Sequence, residues 1–298
     1  SGNLYVVGRT ESSNFSTLSS GSAFFDNTLG GVGDGFILKF NNSGSRIWAT
    51  YLGGDLYDKA EAVVINNNNE PIVTGNTYSW DFPIWNPWNE AYYQPTKSGQ
   101  SDAFIAKFSS AGIRQWVTYY GGTKNDFGLA LSLDNNGGLY ISGYTESNNF
   151  PFPSPNPINT FNQAALYGSQ DAFVAAFNNN GRQVWGTFLG GNSYEYGHAI
   201  TTDGNSRLYA AGNTNSSNNF PLDAGGSVPY FQQNIGGSND GYITRFDLAP
   251  VIIAGLDDKT LADRFISVFP NPSIGLFNIV FDNIEPNSQL EITNLLGE

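Results

Sequence analysis

The sequence contains no cysteine, no methionine and a single histidine, His198, among 298 residues. Disulfide frameworks, thiol catalysis, Cys-based zinc sites and His-rich metal centres are thereby excluded. Basic side chains are also scarce: 13 Lys and Arg stand against 26 Asp and Glu, a formal charge of -13. Nucleic acid and anionic lipid reward clustered cations, so neither is an expected partner. No stretch of about 18 consecutive apolar residues occurs, so no helix is long and apolar enough to cross a membrane. Residue 1 is Ser, with neither a charged nor an apolar leader before it. We read this as a chain entered after processing or inside a larger protein. What the sequence does hold is 35 glycines and 15% aromatic residues, a mixture that favours all-β structure with many turns.

Self-comparison sets the organisation. Asp34-Gly-Phe-Ile-Leu-Lys-Phe40 recurs as DAFIAKF from Asp102, DAFVAAF from Asp171 and DGYITRF from Asp240, at steps of 68, 69 and 69 residues. Fourteen residues after the first three of these aspartates stands a Trp (Trp48, Trp116, Trp185), followed by YLGG at Tyr51, YYGG at Tyr119 and FLGG at Phe188. A third segment follows, near Gly128 to Leu133 in the middle repeat, and then LYISG from Leu139, echoed by LYVVG at Leu4 and LYAAG at Leu208. Apolar alternation with a period of two, broken by Gly and Asn turns, marks each segment as a strand.

One repeat thus reads as a four-stranded antiparallel meander, giving blade units at about 34–77, 102–145 and 171–214, with partial units at 1–10 and 240–246. A loop of about 25 residues is expected to join each meander to the next. The loops begin in phase with Phe15, Phe82, Phe150 or Phe220, a fixed ring expected to anchor each loop between neighbouring sheets. Four-stranded units in series must stack to bury their faces, and a β-propeller is the ring solution. These motifs resemble the SBBP repeats of bacterial β-propeller proteins over about residues 1 to 247. The expected fold is therefore an all-β propeller, with an incomplete ring of three and a half blades in this sequence. We expect further repeats upstream, and expect the strand at Asp240 to complete a blade begun by N-terminal strands.

After the repeats, 248–263 reads as a linker and 264–298 as the start of a small Ig-like β-sandwich. Pro270 and Pro272 lack N–H groups and end a strand, Gly275 permits a turn, and Phe277, Ile279 and Phe281 alternate with Asn278 and Val280. The run Val268-Phe269-Pro270-Asn271-Pro272, with Gly275, Phe277 and Ile279, is similar to the type A C-terminal sorting domain of the Bacteroidota type IX secretion system. The later Asn294, Leu296 and Gly297 match that family's N-x-L-G strand end. The resemblance implies export across the outer membrane, recognition by the translocon and its β-barrel shuttle protein, and a secreted or cell-surface location. Members of that family continue for a few tens of residues beyond the point where this sequence stops.

Candidate sites are few. His198 aligns in repeat phase with Glu61 and Leu129, an unrepeated position that favours a surface or hairpin role over catalysis. The carboxylates Asp34, Asp102, Asp171 and Asp240, and Asp58, Asp126 and Glu195, recur in phase. Circles of negative charge could attract a cation, but turn capping is the simpler role. Asp134-Asn-Asn-Gly137 lacks the alternating ligands of a calcium loop and reads as a hairpin turn. Trp48, Trp116 and Trp185 are assigned to the core. Trp80, Trp85, Trp88, Tyr92 and Tyr93 crowd one loop without counterparts elsewhere and are candidate ligand-binding rings, with Asp81, Asn86 and Asn89 as polar neighbours to orient a glycan. No catalytic residue, metal site or cofactor is assigned. The function expected is that of a binding or interaction protein; the alternatives are a polysaccharide lyase or glycosidase and a rigid spacer.

Overall fold

The computed structural model describes residues 2–86, 88–154, 161–204, 207–222, 232, 234–247, 266–269 and 278–281. The chain divides into two compact units, Ser1–Ala249 and Pro250–Glu298. The described residues of the first unit form four antiparallel sheets. The first sheet contains β1 (Leu4–Thr10), β2 (Asp34–Phe40) and β3 (Arg46–Leu52). The second contains β4 (Asp58–Ile65), β5 (Pro71–Thr77), β6 (Asp102–Phe108) and β7 (Arg114–Tyr120). The third contains β8 (Asp126–Leu133), β9 (Leu139–Thr145), β10 (Asp171–Phe177) and β11 (Gln183–Leu189). The fourth contains β12 (Glu195–Thr202), β13 (Arg207–Thr214) and β14 (Asp240–Asp247).

The architecture is the β-propeller expected, yet the sheets are cut out of phase with the sequence repeat. The spans 34–77, 102–145 and 171–214 are not blades. Each complete sheet takes the last two strands of one repeat and the first two of the next, as in β4-β5-β6-β7. The long loops therefore join neighbours within a sheet: β5 pairs with β6, Thr77 opposite Asp102, across the loop 78–101. The short Gly-Gly links instead cross from one sheet to the next. Among the described residues β14 pairs with β13, Leu208 opposite Phe246, so the Asp240 strand continues the sheet of β12 and β13.

Local chemistry explains the strands. Between β2 and β3, β6 and β7, and β10 and β11, the turns place Gly44, Gly112 and Gly181 at φ near +80° (79°, 84° and 83°), which a side chain disfavours. At the β8–β9 turn Asp134 Oδ1 accepts the N–H groups of Asn136 and Gly138, both at 2.8 Å, the plain hairpin role expected of it.

The cores lie between consecutive sheets. Tyr5, Ile37, Trp48 and Leu52 of the first sheet pack on Val73, Phe104 and Tyr119 of the second. Ile105, Trp116 and Tyr120 of the second pack on Ile141, Phe173 and Phe188 of the third. Trp185 and Val174 of the third pack on Ile200, Leu208 and Phe246 of the fourth. The three repeated tryptophans are core, as expected, at 2%, 4% and 0% exposure, and burying one such large apolar side chain contributes about 1.5–3 kcal/mol. The in-phase phenylalanines anchor the loops into these layers: Phe82 meets Phe104 at 4.6 Å, and Phe150 lies against Phe173 at 4.5 Å and Tyr120 at 4.8 Å. Ile243 differs from its equivalents. Ile37, Ile105 and Val174 are fully buried, whereas Ile243 is 78% exposed, because among the described residues no further sheet covers that face of β14.

In the second unit, β15 (Ile266–Phe269) pairs antiparallel with β16 (Asn278–Phe281), Val268 opposite Ile279. The strand β15 stops immediately before Pro270, as a residue without an N–H requires.

Candidate functional site

The repeated carboxylates fall into two sets, and both serve the chain itself. Asp58, Asp126 and Glu195 open β4, β8 and β12 and are fully buried. Asp126 accepts hydrogen bonds from the Gly122 amide at 2.7 Å, the Ser147 hydroxyl at 3.0 Å and the Thr145 hydroxyl. Asp58 does the same for Gly54 and Ser79 (2.7 and 2.8 Å), and Glu195 for Gly191, Thr214 and Ser216 (2.9, 2.6 and 2.5 Å). The second set brackets the strand that follows each long loop. Asp102 accepts from the amides of Ser98 and Gly99 and from Gln94 Nε2, and Asp171 from Tyr167, Gly168 and Gln163 Nε2.

The two sets pinch each Gly-Gly link between them. A Cβ on Gly121 would lie 2.7 Å from Asp126 Oδ2 and 2.9 Å from Asp102 Cγ, so only glycine fits. Burial pushes the Asp58 carboxyl up to about 6, Asp126 up to about 7 and Asp171 up to about 6. Asp102 is raised for the same reason. Turn capping is thus what these groups do, and no group of three or more Asp, Glu and His poised for a metal ion occurs among the described residues.

A partly exposed surface runs along β4, β8 and β12. These strands begin their sheets, and β4 touches β8 while β8 touches β12, so they line the inner, axial edge. Each carries a β-bulge at the same place, between Ala60 and Ala62, Gly128 and Ala130, and Gly197 and Ala199. The extra residues are Glu61, Leu129 and His198. A bulge re-aims side chains, here at a position where the three repeats carry an acid, an aliphatic residue and an imidazole. A cavity of about 500 Å³ opens where the second and third sheets meet. Tyr57, Tyr78, Phe127 and Tyr144 supply its rings, and Lys59, Glu61, Asn76 and Leu129 the rest of its lining.

The rings form one belt. Tyr57 meets Tyr78 edge-on at 5.6 Å, Tyr78 meets Phe127 at 6.5 Å, and Phe127 stacks on Tyr144 at 4.5 Å. The belt continues through Tyr196, edge-on to Tyr144 at 4.8 Å, to the His198 ring stacked beyond it at 5.7 Å. Arg9 caps the other end over Tyr57. Lys59 and Glu61 pair at 2.8 Å, and burial raises the Tyr78 and Tyr144 hydroxyls above the usual phenol range. His198 is exposed and hydrogen-bonds Asn213 through Nε2 at 2.6 Å, so its partner is an amide and not a carboxylate.

The five aromatic residues singled out in loop 78–101 are not gathered into one surface. Trp85 pairs through its backbone with Val117 on the outer strand β7, with N···O distances of 2.8 and 3.0 Å, which covers that sheet edge. Its exposed ring lies under Arg114, and that of Trp80 under Lys97. Trp88 is 88% exposed in a turn closed by Asn86. Tyr92 packs into the core between the second and third sheets, edge-on to Tyr120 at 5.4 Å, and Tyr93 is half-buried. Asn89 caps Ala91, and Asp81 accepts the Asp55 amide, so these neighbours of the rings are engaged in turns. Of the sorting-motif residues, Val268, Phe269 and Ile279 lie in β15 and β16. Pro270, Asn271, Pro272, Gly275, Phe277, Asn294, Leu296 and Gly297 lie outside the described residues.

Sequence reasoning missed the partners of the carboxylates, although their spacing was visible. Gln94, Gln163 and Gln232 each stand eight residues before an aspartate they bond. Thr-x-Ser follows each LYISG-type strand, as Thr77–Ser79, Thr145–Ser147 and Thr214–Ser216.

Comparison with known proteins agrees with this geometry. Residues 115–151 and 184–221 match the family SBBP, described as Beta-propeller repeat. An uncharacterized WD repeat-containing protein of Acanthamoeba polyphaga mimivirus is 24% identical over 55% of this chain and 12% of its own length. The regulatory protein FlaEY of Caulobacter vibrioides is 28% identical over 51% of this chain and 15% of its own length. The chain thus spans less than a sixth of the curated relatives it matches. Among solved structures, a phage phi92 endosialidase superposes with a TM-score of 0.35 at 12% identity, over 88% of this chain and 39% of that one, too loosely to bear on function.

Proposed function

We propose that this β-propeller repeat protein is an extracellular binding module that takes its ligand on the axial aromatic belt. The observation that carries this reading is the set of in-phase bulges, which direct Glu61, Leu129 and His198 to the inner edge of an otherwise regular repeat. A rigid scaffold that presents a different side chain at the same place in each repeat is the form of a recognition surface. The ring carboxylates on which a polysaccharide-cleaving enzyme would draw are buried against the chain's own donors. A thermal-shift screen of the full chain against saccharide and peptide panels tests binding. A stabilising ligand whose effect is lost in Leu129→Trp, which fills the cavity, supports it; hits indifferent to that substitution would refute it.

Export is the second part of the reading. Its support is the resemblance of Val268-Phe269-Pro270-Asn271-Pro272 and its followers to type IX sorting domains, with the translocon and its β-barrel shuttle as partners and the cell exterior as destination. Deleting residues 264–298 is expected to leave the protein cell-associated in a host with that secretion system. Unchanged secretion would remove the claim.

A further inference from the structure

We infer that the axial cavity takes a neutral saccharide, an assignment that rests on the binding reading and gives it a ligand class. The first argument is shape. Tyr57, Tyr78, Phe127 and Tyr144 make a continuous ring surface across two sheets. Pyranose rings present flat C–H faces that lie well on aromatic rings, while their hydroxyls reach polar groups at the ring edges. The volume of about 500 Å³ is that of a small-molecule site.

The second argument is charge. Lys59 and Glu61 neutralise each other at 2.8 Å, and the whole chain carries -13. An anion would meet that field, and a cation would have to displace Lys59 from Glu61. The third argument is the polar lining. Lys59 and Glu61 stand among the rings with 39% and 22% of their side chains exposed. Saccharide hydroxyls can donate to the carboxylate and accept from the ammonium, replacing the water that both hold. A hydrocarbon ligand would instead strip water from Lys59 and Glu61 without replacing it.

Isothermal titration of the full chain with cellohexaose, laminarihexaose and xylohexaose tests the inference, beside sialyllactose as an anionic probe and a peptide library. At least one neutral hexasaccharide is expected to bind, and Tyr144→Ala is expected to weaken it by about tenfold, the equivalent of one ring contact and its hydroxyl. Glu61→Gln, a half-exposed substitution that leaves packing intact, is expected to weaken it without moving the melting temperature, and Trp85→Ala to change nothing. Failure of all three neutral saccharides overturns the assignment. Binding of sialyllactose alone, with Tyr144 dependence, overturns the neutral assignment, and binding of a peptide alone, with the same dependence, overturns the saccharide class; either leaves the binding reading standing. If no probe responds to Tyr144→Ala, both fall.

Discussion

Two aspartates in this chain hold the same number of donors in opposite surroundings, and comparing them tests the account of what stabilises the blades. Asp126 serves the Gly122 amide and the hydroxyls of Thr145 and Ser147, all within a fully buried pocket. Asp134 serves the amides of Asn136 and Gly138 and the Tyr140 hydroxyl at a hairpin open to solvent. Asp126→Ala strands three donors that water does not reach. At about 1–3 kcal/mol for each buried orphan, and with both hydroxyls free to rotate, a loss of about 3 kcal/mol follows. Asp134→Ala exposes its donors to water and is expected to cost about 1 kcal/mol. Urea unfolding followed by the fluorescence of the buried Trp116 and Trp185 measures both, as a shift of midpoint at unchanged slope. If Asp126→Ala costs no more than Asp134→Ala, the buried carboxylate brackets do not hold the sheets together, and the reasoning fails.

Two other outcomes follow from the same brackets. Burial raises the carboxyls of Asp58, Asp126 and Asp171 to about 6, 7 and 6, so between about pH 4 and 7 the folded chain holds protons that the unfolded chain has released, and stability falls as pH rises through that window. Melting is therefore expected to occur at higher temperature at pH 5 than at pH 8, with the difference reduced in Asp126→Asn; a profile that is flat or rises with pH would contradict the shifts. Gly121→Ala, whose Cβ would collide with both Asp126 and Asp102, is expected to lower the melting temperature markedly, while Gly237→Ala, with open space around its Cβ, leaves it unchanged in the same scan.

The strands, their phase and the tryptophan core were legible in the sequence because each depends on a local pattern. Alternation with period two, a Gly at a positive-φ turn position and a Trp at constant offset all lie within a few residues of what they determine. Sheet membership was not legible. The five residues between β7 and β8 look like a hairpin connection, and the loop 78–101 looks like a link between one four-stranded unit and the next. Hydrogen bonding assigns them the other way round, Thr77 facing Asp102 within one sheet. The long loop can return to its own sheet because Trp85 pairs with Val117 on the outer strand and Gln94 bonds Asp102 at the next strand's start. The short link can cross because two buried carboxylates grip Gly121 and Gly122 from either side.

The candidate site divides in the same way. His198 was visible as an unrepeated residue, and its alignment with Glu61 and Leu129 was already in the repeat phase. That these three share a bulge is a property of pairing with the neighbouring strand, and no local pattern announces it. Conversely, the aromatic loop stood out in composition but scatters in space, with Tyr92 in the core and Trp85 on the outer edge. The sequence by itself determined an all-β repeat, its period and its buried tryptophans, because period and burial follow from residue order along one strand. Which strands share a blade, and which residues face the axis, the tertiary structure alone decided, because both depend on hydrogen bonds and bulges formed between segments far apart in the chain.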